Sequence, residues 1–183
     1  MPYHFERALF IVGEPNSGKS TQLRSMFRDF RLGEGNIPAA ANLREMYRLS
    51  NERCLYIRLT SPHEVGECID NEVDNFLDKT EQKIVGNTPM LGRRWNFACP
   101  LQPDAEKRMP DVVATVGAFV GRFEPERTRV LFLSPDRHGT DLQNQHRSLV
   151  AALRPITSVE IAWIDARDRI PNGLLIADFF DFT

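Results

Sequence analysis

Long apolar runs are missing from this 183-residue chain. None approaches the roughly 20 consecutive apolar residues that a membrane-spanning helix needs, so no span is expected. The opening Met1–Glu6 does not have the character of a secretory leader. Cysteine is scarce as well. Cys54, Cys68 and Cys99 are an odd number without C-x-x-C spacing, and they read as free thiols in a reducing compartment, which makes a cytoplasmic location the expectation. An excess of charge of either sign is also absent. With 23 basic and 25 acidic residues the formal charge is −2, so a general nucleic-acid binder is not indicated. Among the basic residues lysine is rare: Lys19, Lys79, Lys83 and Lys107 are the whole set, and arginine fills every other basic position. Arginine suits bidentate phosphate contacts, but GC-rich coding produces the same bias. Internal repeats and low-complexity segments are lacking too.

What remains is a chain with 42% hydrophobic residues, ordinary for a soluble globular protein, and long enough to bury a proper core as one domain over residues 1–183. Its most informative stretch is ALFIVGEPNSGKSTQLRSMF, Ala8 to Phe27. Within it, Gly13 to Ser20 fits the pattern G-x-x-x-x-G-K-[ST], whose chemistry is one of backbone geometry. Gly13 and Gly18 allow conformations closed to residues with a Cβ, so successive amides around Asn16 and Ser17 can point inward at an anion. Lys19 supplies a mobile cation for β- and γ-phosphates, the Ser20 hydroxyl is placed for Mg²⁺, and Thr21 closes the set. The setting agrees. Leu9–Val12 is a short apolar run of buried-strand type, and Leu23, Met26, Phe27 and Phe30 recur at helical spacing after the loop.

Further along, GEGNIP (Gly33–Pro38) reads as turn and AAANLREMYRL (Ala39–Leu49) as a short helix. Cys54–Leu59 reads as a strand ending in Thr60-Ser61-Pro62. A helix should follow, with Val65, Ile69, Val73, Phe76 and Leu77 on one face and Glu64, Glu67, Asp70, Glu72, Asp74 and Asp78 on a solvated acidic one. Gly86–Arg94 reads as loop, Trp95–Cys99 as strand, Asp111–Phe123 as helix and Val130–Leu133 as strand. Leu142, Leu149, Val150 and Leu153 mark a helix before the strand Val159–Ile164. Strands alternating with helices predict an α/β fold, a three-layer sandwich around a mostly parallel sheet of about five strands, with ligand beyond the strands' carboxyl ends. The tail Gly173–Thr183 places Phe179, Phe180 and Phe182 either in the core or on a docking surface.

A phosphate loop needs an acid near Mg²⁺. Asp136, two residues beyond Val130–Leu133 and its Ser134-Pro135, is the favoured candidate. Asp104 is second. Asp165 directly follows the Val159–Ile164 strand, but last strands seldom lie beside the first.

The motif resembles that of the P-loop NTPase superfamily. VGEPNSGKST resembles the first motif of small GTPases related to translation factors, and Asp136-Arg-His-Gly139 resembles their D-x-x-G. That resemblance implies a Mg²⁺-linked role for Asp136, a γ-phosphate-sensing amide at Gly139 and a switch role for Thr60. No [NT]-K-x-D guanine-reading motif accompanies it. The strand–helix order also resembles the nucleotide and small-molecule kinases, which would make His63 and Glu64 acceptor-site residues and Arg93 and Arg94 phosphate clamps, although no Arg-rich lid is evident between Leu133 and Val159. The expectation is a Mg²⁺-dependent nucleoside triphosphate hydrolase, ATP favoured over GTP, coupled to a protein partner or oligomer. Lys19 and Asp136 would serve catalysis, Ser20 and Asp136 the metal. A kinase or a catalytically weak nucleotide-dependent switch subunit are the alternatives.

Overall fold

The computed structural model describes residues 3–32, 35–39, 45–65 and 73–180. The described residues form six strands, β1 (His4–Val12), β2 (Met46–Arg48), β3 (Arg53–Ile57), β4 (Arg94–Leu101), β5 (Arg127–Leu133) and β6 (Val159–Ile164). They form one sheet in the order β2-β3-β4-β1-β5-β6, parallel throughout except for β2, which runs antiparallel to β3. The helices are α1 (Lys19–Ser25), α2 (Pro62–Val65), α3 (Asp74–Leu91), α4 (Val112–Phe123), α5 (Arg147–Leu153) and α6 (Arg169–Phe179). No described helix is long and apolar enough to cross a membrane.

Alternation along β1 explains the layering. Ala8, Phe10 and Val12 point into one buried cluster with Phe76 of α3 and Val112, Val116 and Phe119 of α4. Leu9 and Ile11 point into the other, with Leu23 of α1 and Ile176, Ala177 and Phe179 of α6. Both faces of the sheet are therefore covered, as a three-layer sandwich requires, and an unbroken apolar run such as Leu9–Val12 suits a central strand buried on both sides. On the α4 side the aromatic packing is dense: Phe119 stacks on Phe97 at 4.9 Å and meets Phe10 edge-on at 5.2 Å.

Several expectations change. The sheet has six strands, because Met46–Arg48, read as helix, pairs with Cys54–Tyr56 at the sheet edge; residues 40–44 of that segment lie outside the described residues. Gly86–Leu91, read as loop, is the last part of α3. Pro89 sits inside the helix, and Thr88 holds the turn around it: its Oγ1 donates to the Ile84 carbonyl at 2.8 Å and accepts Trp95 Nε1 at 3.1 Å. The helix read across Val65–Leu77 is represented by α2 and the start of α3, with Phe76 and Leu77 buried; Ile69, Glu67, Asp70, Glu72 and Cys68 lie outside the described residues. Phe30 does not continue the apolar face of α1. The helix tightens into 3₁₀ turns after Ser25, and Phe30 is 82% exposed. Phe179 and Phe180 are core residues, while Phe182 lies outside the described residues.

Candidate functional site: the Gly13–Ser20 loop

The loop leaves the carboxyl end of β1, the strand flanked by β4 and β5, and enters α1. Backbone conformation follows the sequence: Gly18 has φ +105° and Asn16 φ +61°, a region that favours Gly and tolerates Asn. At Gly13 the constraint is contact. A Cβ there would lie 2.5 Å from Ser17 Oγ. The Ser17 amide donates to the Glu14 carbonyl at 3.1 Å, closing a tight turn. Ser17 Oγ is buried and meets no hydrogen-bond partner among the described residues.

Lys19 lies folded into this loop, 4% exposed, with Nζ donating to the carbonyls of Gly13 (2.8 Å) and Glu14 (2.7 Å). Burial pushes its ammonium down to about 8, while the charges of Glu64, Glu14 and Glu106 act in the opposite sense. Those three glutamates come from its own loop, from α2 and from the turn after β4. Ser20 Oγ donates to the Leu59 carbonyl at 2.6 Å, tying α1 to the segment after β3.

The loop after β5 closes over the other side. The Arg137 amide donates to the Ser17 carbonyl at 3.2 Å, and the Arg137 side chain lies beside Gly18, 3.5 Å from where a Cβ would stand. Asp136 caps that loop, its Oδ1 accepting the amides of His138 (2.8 Å) and Thr140 (2.9 Å). Desolvation raises its carboxyl, but the Thr140 and His138 amides outweigh it and hold the group below the usual carboxylate range.

The other sequence candidates scatter. Asp104 is exposed in the loop after β4, and the first residue after that strand is Gln102, buried and uncharged. Asp165 ends β6, two strands from β1, where Arg167 binds it and holds its carboxyl at about 2. Thr60 is exposed beside the Leu59 contact. Arg93 and Arg94 stand at the opposite end of the sheet, the Arg93 carbonyl accepting the His4 amide at 2.7 Å and Arg94 pairing with Glu6 at 2.5 Å, so neither can clamp phosphate at this loop. His63 is fully buried. Its Nε2 bonds the Pro110 carbonyl at 2.8 Å, so Nε2 carries the proton and Nδ1 faces Ser61 Oγ at 3.3 Å.

No family model, curated protein or solved structure matches the chain.

The residues around the loop that sequence reading missed are Glu106, Gln145 and His146. Glu106 opens a two-residue turn after β4, and Gln145 and His146 precede α5. No local pattern marks them; only the strand order brings their loops to Gly13–Ser20.

Proposed function

We propose that the chain binds a nucleoside triphosphate with Mg²⁺ over Gly13–Thr21 and hydrolyses it in concert with a protein partner. The observation that carries the reading is the state of Lys19. A buried ammonium is costly unless paired with an anion, yet among the described residues Lys19 makes no ion pair and bonds only to two carbonyls of its own loop. Ser17 Oγ lies unpartnered in the same loop. A phosphate oxygen would answer both. Arg137, beside Gly18 and without an ion pair among the described residues, adds a cation suited to the same charge.

Among the described residues no three metal-ligating side chains gather into one group. Mg²⁺ bound together with a nucleotide takes most of its ligands from phosphate and water oxygens, with one or two from the protein. Ser20 would hold it directly, since a hydroxyl donating to Leu59 keeps its lone pairs, and Asp136 would act from the neighbouring loop. A Mg²⁺ held by Ser20 and Asp136 would supply positive charge against that of the bound phosphates. The absence of an [NT]-K-x-D motif favours ATP over GTP.

Hydrolysis is preferred to transfer because the kinase reading loses its parts. His63 is locked between Ser61 and Pro110 rather than free to act as a base, and Arg93 and Arg94 are at the far end of the sheet. The test is phosphate release from MgATP by the protein alone, with pooled metabolites, and with co-purifying proteins. Slow, acceptor-independent release that rises with a partner is expected. Fast transfer to a small metabolite without any partner would make this a kinase.

A further inference from the structure

Glu14 sits directly beside Gly13, and its carboxylate is a liability for any loop that takes an anion. Like charge at that distance repels phosphate and competes for Lys19, on which the Glu14 charge already acts. The structure deals with this carboxylate in a specific way. Its Oε1 accepts Gln145 Nε2 at 3.2 Å and His146 Nε2 at 3.4 Å, both from the turn before α5.

The His146 ring is fixed. It is 2% exposed, lies parallel to Trp163 of β6 (6.4 Å between centroids, 5° between planes) and stands 5.7 Å from Phe132 of β5. Nε2 donates to Glu14, and the other ring nitrogen is Nδ1. It is buried and meets no partner among the described residues. An imidazole placed only to fill the core would leave a polar atom unsatisfied for nothing, and a phenyl ring would pack as well without that cost. What the imidazole supplies is one N–H, aimed at Glu14.

We propose that His146 is a positioning residue for the Gly13–Ser20 loop: with Gln145 it holds the Glu14 carboxylate against the turn before α5 and so off the phosphate path. The proposal rests on the reading of that loop as a phosphate site. The Glu14 backbone is fixed by the same clamp, and its carbonyl is the one that receives both Lys19 Nζ and the Ser17 amide. Losing the clamp therefore both loosens the loop and frees a negative charge beside the ligand.

Phe at 146 keeps the aromatic packing and removes the donor. Calorimetry with MgATP on the parent, His146→Phe, Glu14→Gln and the double variant isolates the charge. His146→Phe should bind about tenfold more weakly, and adding Glu14→Gln should recover most of that loss. Parent-like affinity in His146→Phe, or a loss that Glu14→Gln leaves in place, would overturn the proposal. A readout without ligand separates it from the loop reading. Exchange of the Ser17 amide, which is bonded to the Glu14 carbonyl, should quicken severalfold in His146→Phe while the α5 amides of Val150 and Leu153 keep their protection. Should the parent bind no MgATP, that contrast still decides: unchanged loop exchange, or loss of protection in α5 as well, refutes the clamp.

Discussion

Lys19 carries a sign that can be read in solution. Its folded pKa, about 8 because of burial, lies below the unfolded value near 10.5. Between those two values the unfolded chain binds more protons than the folded one, so this residue makes the ligand-free protein more stable as pH rises through that window. Ligand binding moves the other way. An anion needs the ammonium, so MgATP affinity should fall once pH passes about 8, by up to about tenfold per pH unit. Lys19→Met should abolish both trends, which calorimetry and denaturation at pH 7 and pH 9 would show. Asp136 tests the metal side. Asn at 136 keeps an Oδ1 acceptor for the His138 and Thr140 amides, so it removes charge while preserving the loop. Asp136→Asn should weaken Mg²⁺-dependent binding or turnover more than Asp104→Asn or Asp165→Asn, because only the loop after β5 both borders β1 and bonds to Ser17. Greater damage from Asp165→Asn would mean that β6 contributes the acid despite its distance.

Elements position the loop through one close contact. Gly173 of α6 lies against α1, where a Cβ would collide with the Ser25 carbonyl. Around it Asn172 Nδ2 donates to Gln22 Oε1 at 3.1 Å and to the Asp165 carbonyl at 2.6 Å, and Gln22 Nε2 donates to the Ala166 carbonyl at 2.6 Å. The helix that follows the loop is thus fastened to the end of β6. Gly173→Ala should cost about 1–3 kcal/mol in denaturant unfolding through backbone displacement; an unchanged midpoint would show that the two helices can part freely. Legibility in the sequence differs between elements for physical reasons. β6 matches its expected range at both ends, because Val159–Ile164 is a bounded β-rich run. β5 begins three residues earlier than its apolar part, since Arg127 and Arg129 are held in the strand by Glu160 across the pair. β2 was hidden because three residues gain strand geometry only from the β3 edge. The end of α3 was hidden by Gly86 and Pro89, whose helix-breaking tendency is overridden by the Thr88 contacts with Ile84 and Trp95.

For the whole molecule, the strand order decides which sequence features can act together. Placing β1 between β4 and β5 brings the loops around Glu106 and Arg137 to the Gly13–Ser20 loop, and it sends Arg93 and Arg94 to the opposite end. The strand–loop–helix course of Val12 to Lys19 was legible because glycine placement and apolar spacing are local signals. The surrounding acids and the His146–Glu14 contact were not, because they come from segments distant in the chain. The account stands or falls on whether this end of the sheet takes triphosphate through Lys19. Thermal unfolding of the parent and Lys19→Ala, each with and without MgATP, measures that directly. At about a hundred times the dissociation constant the parent should gain about 2.7 kcal/mol, a rise of roughly 5–10 °C in Tm for a chain of this size, and Lys19→Ala should fold but gain almost nothing. Equal stabilisation of the two proteins by MgATP, or none in the parent, would contradict it.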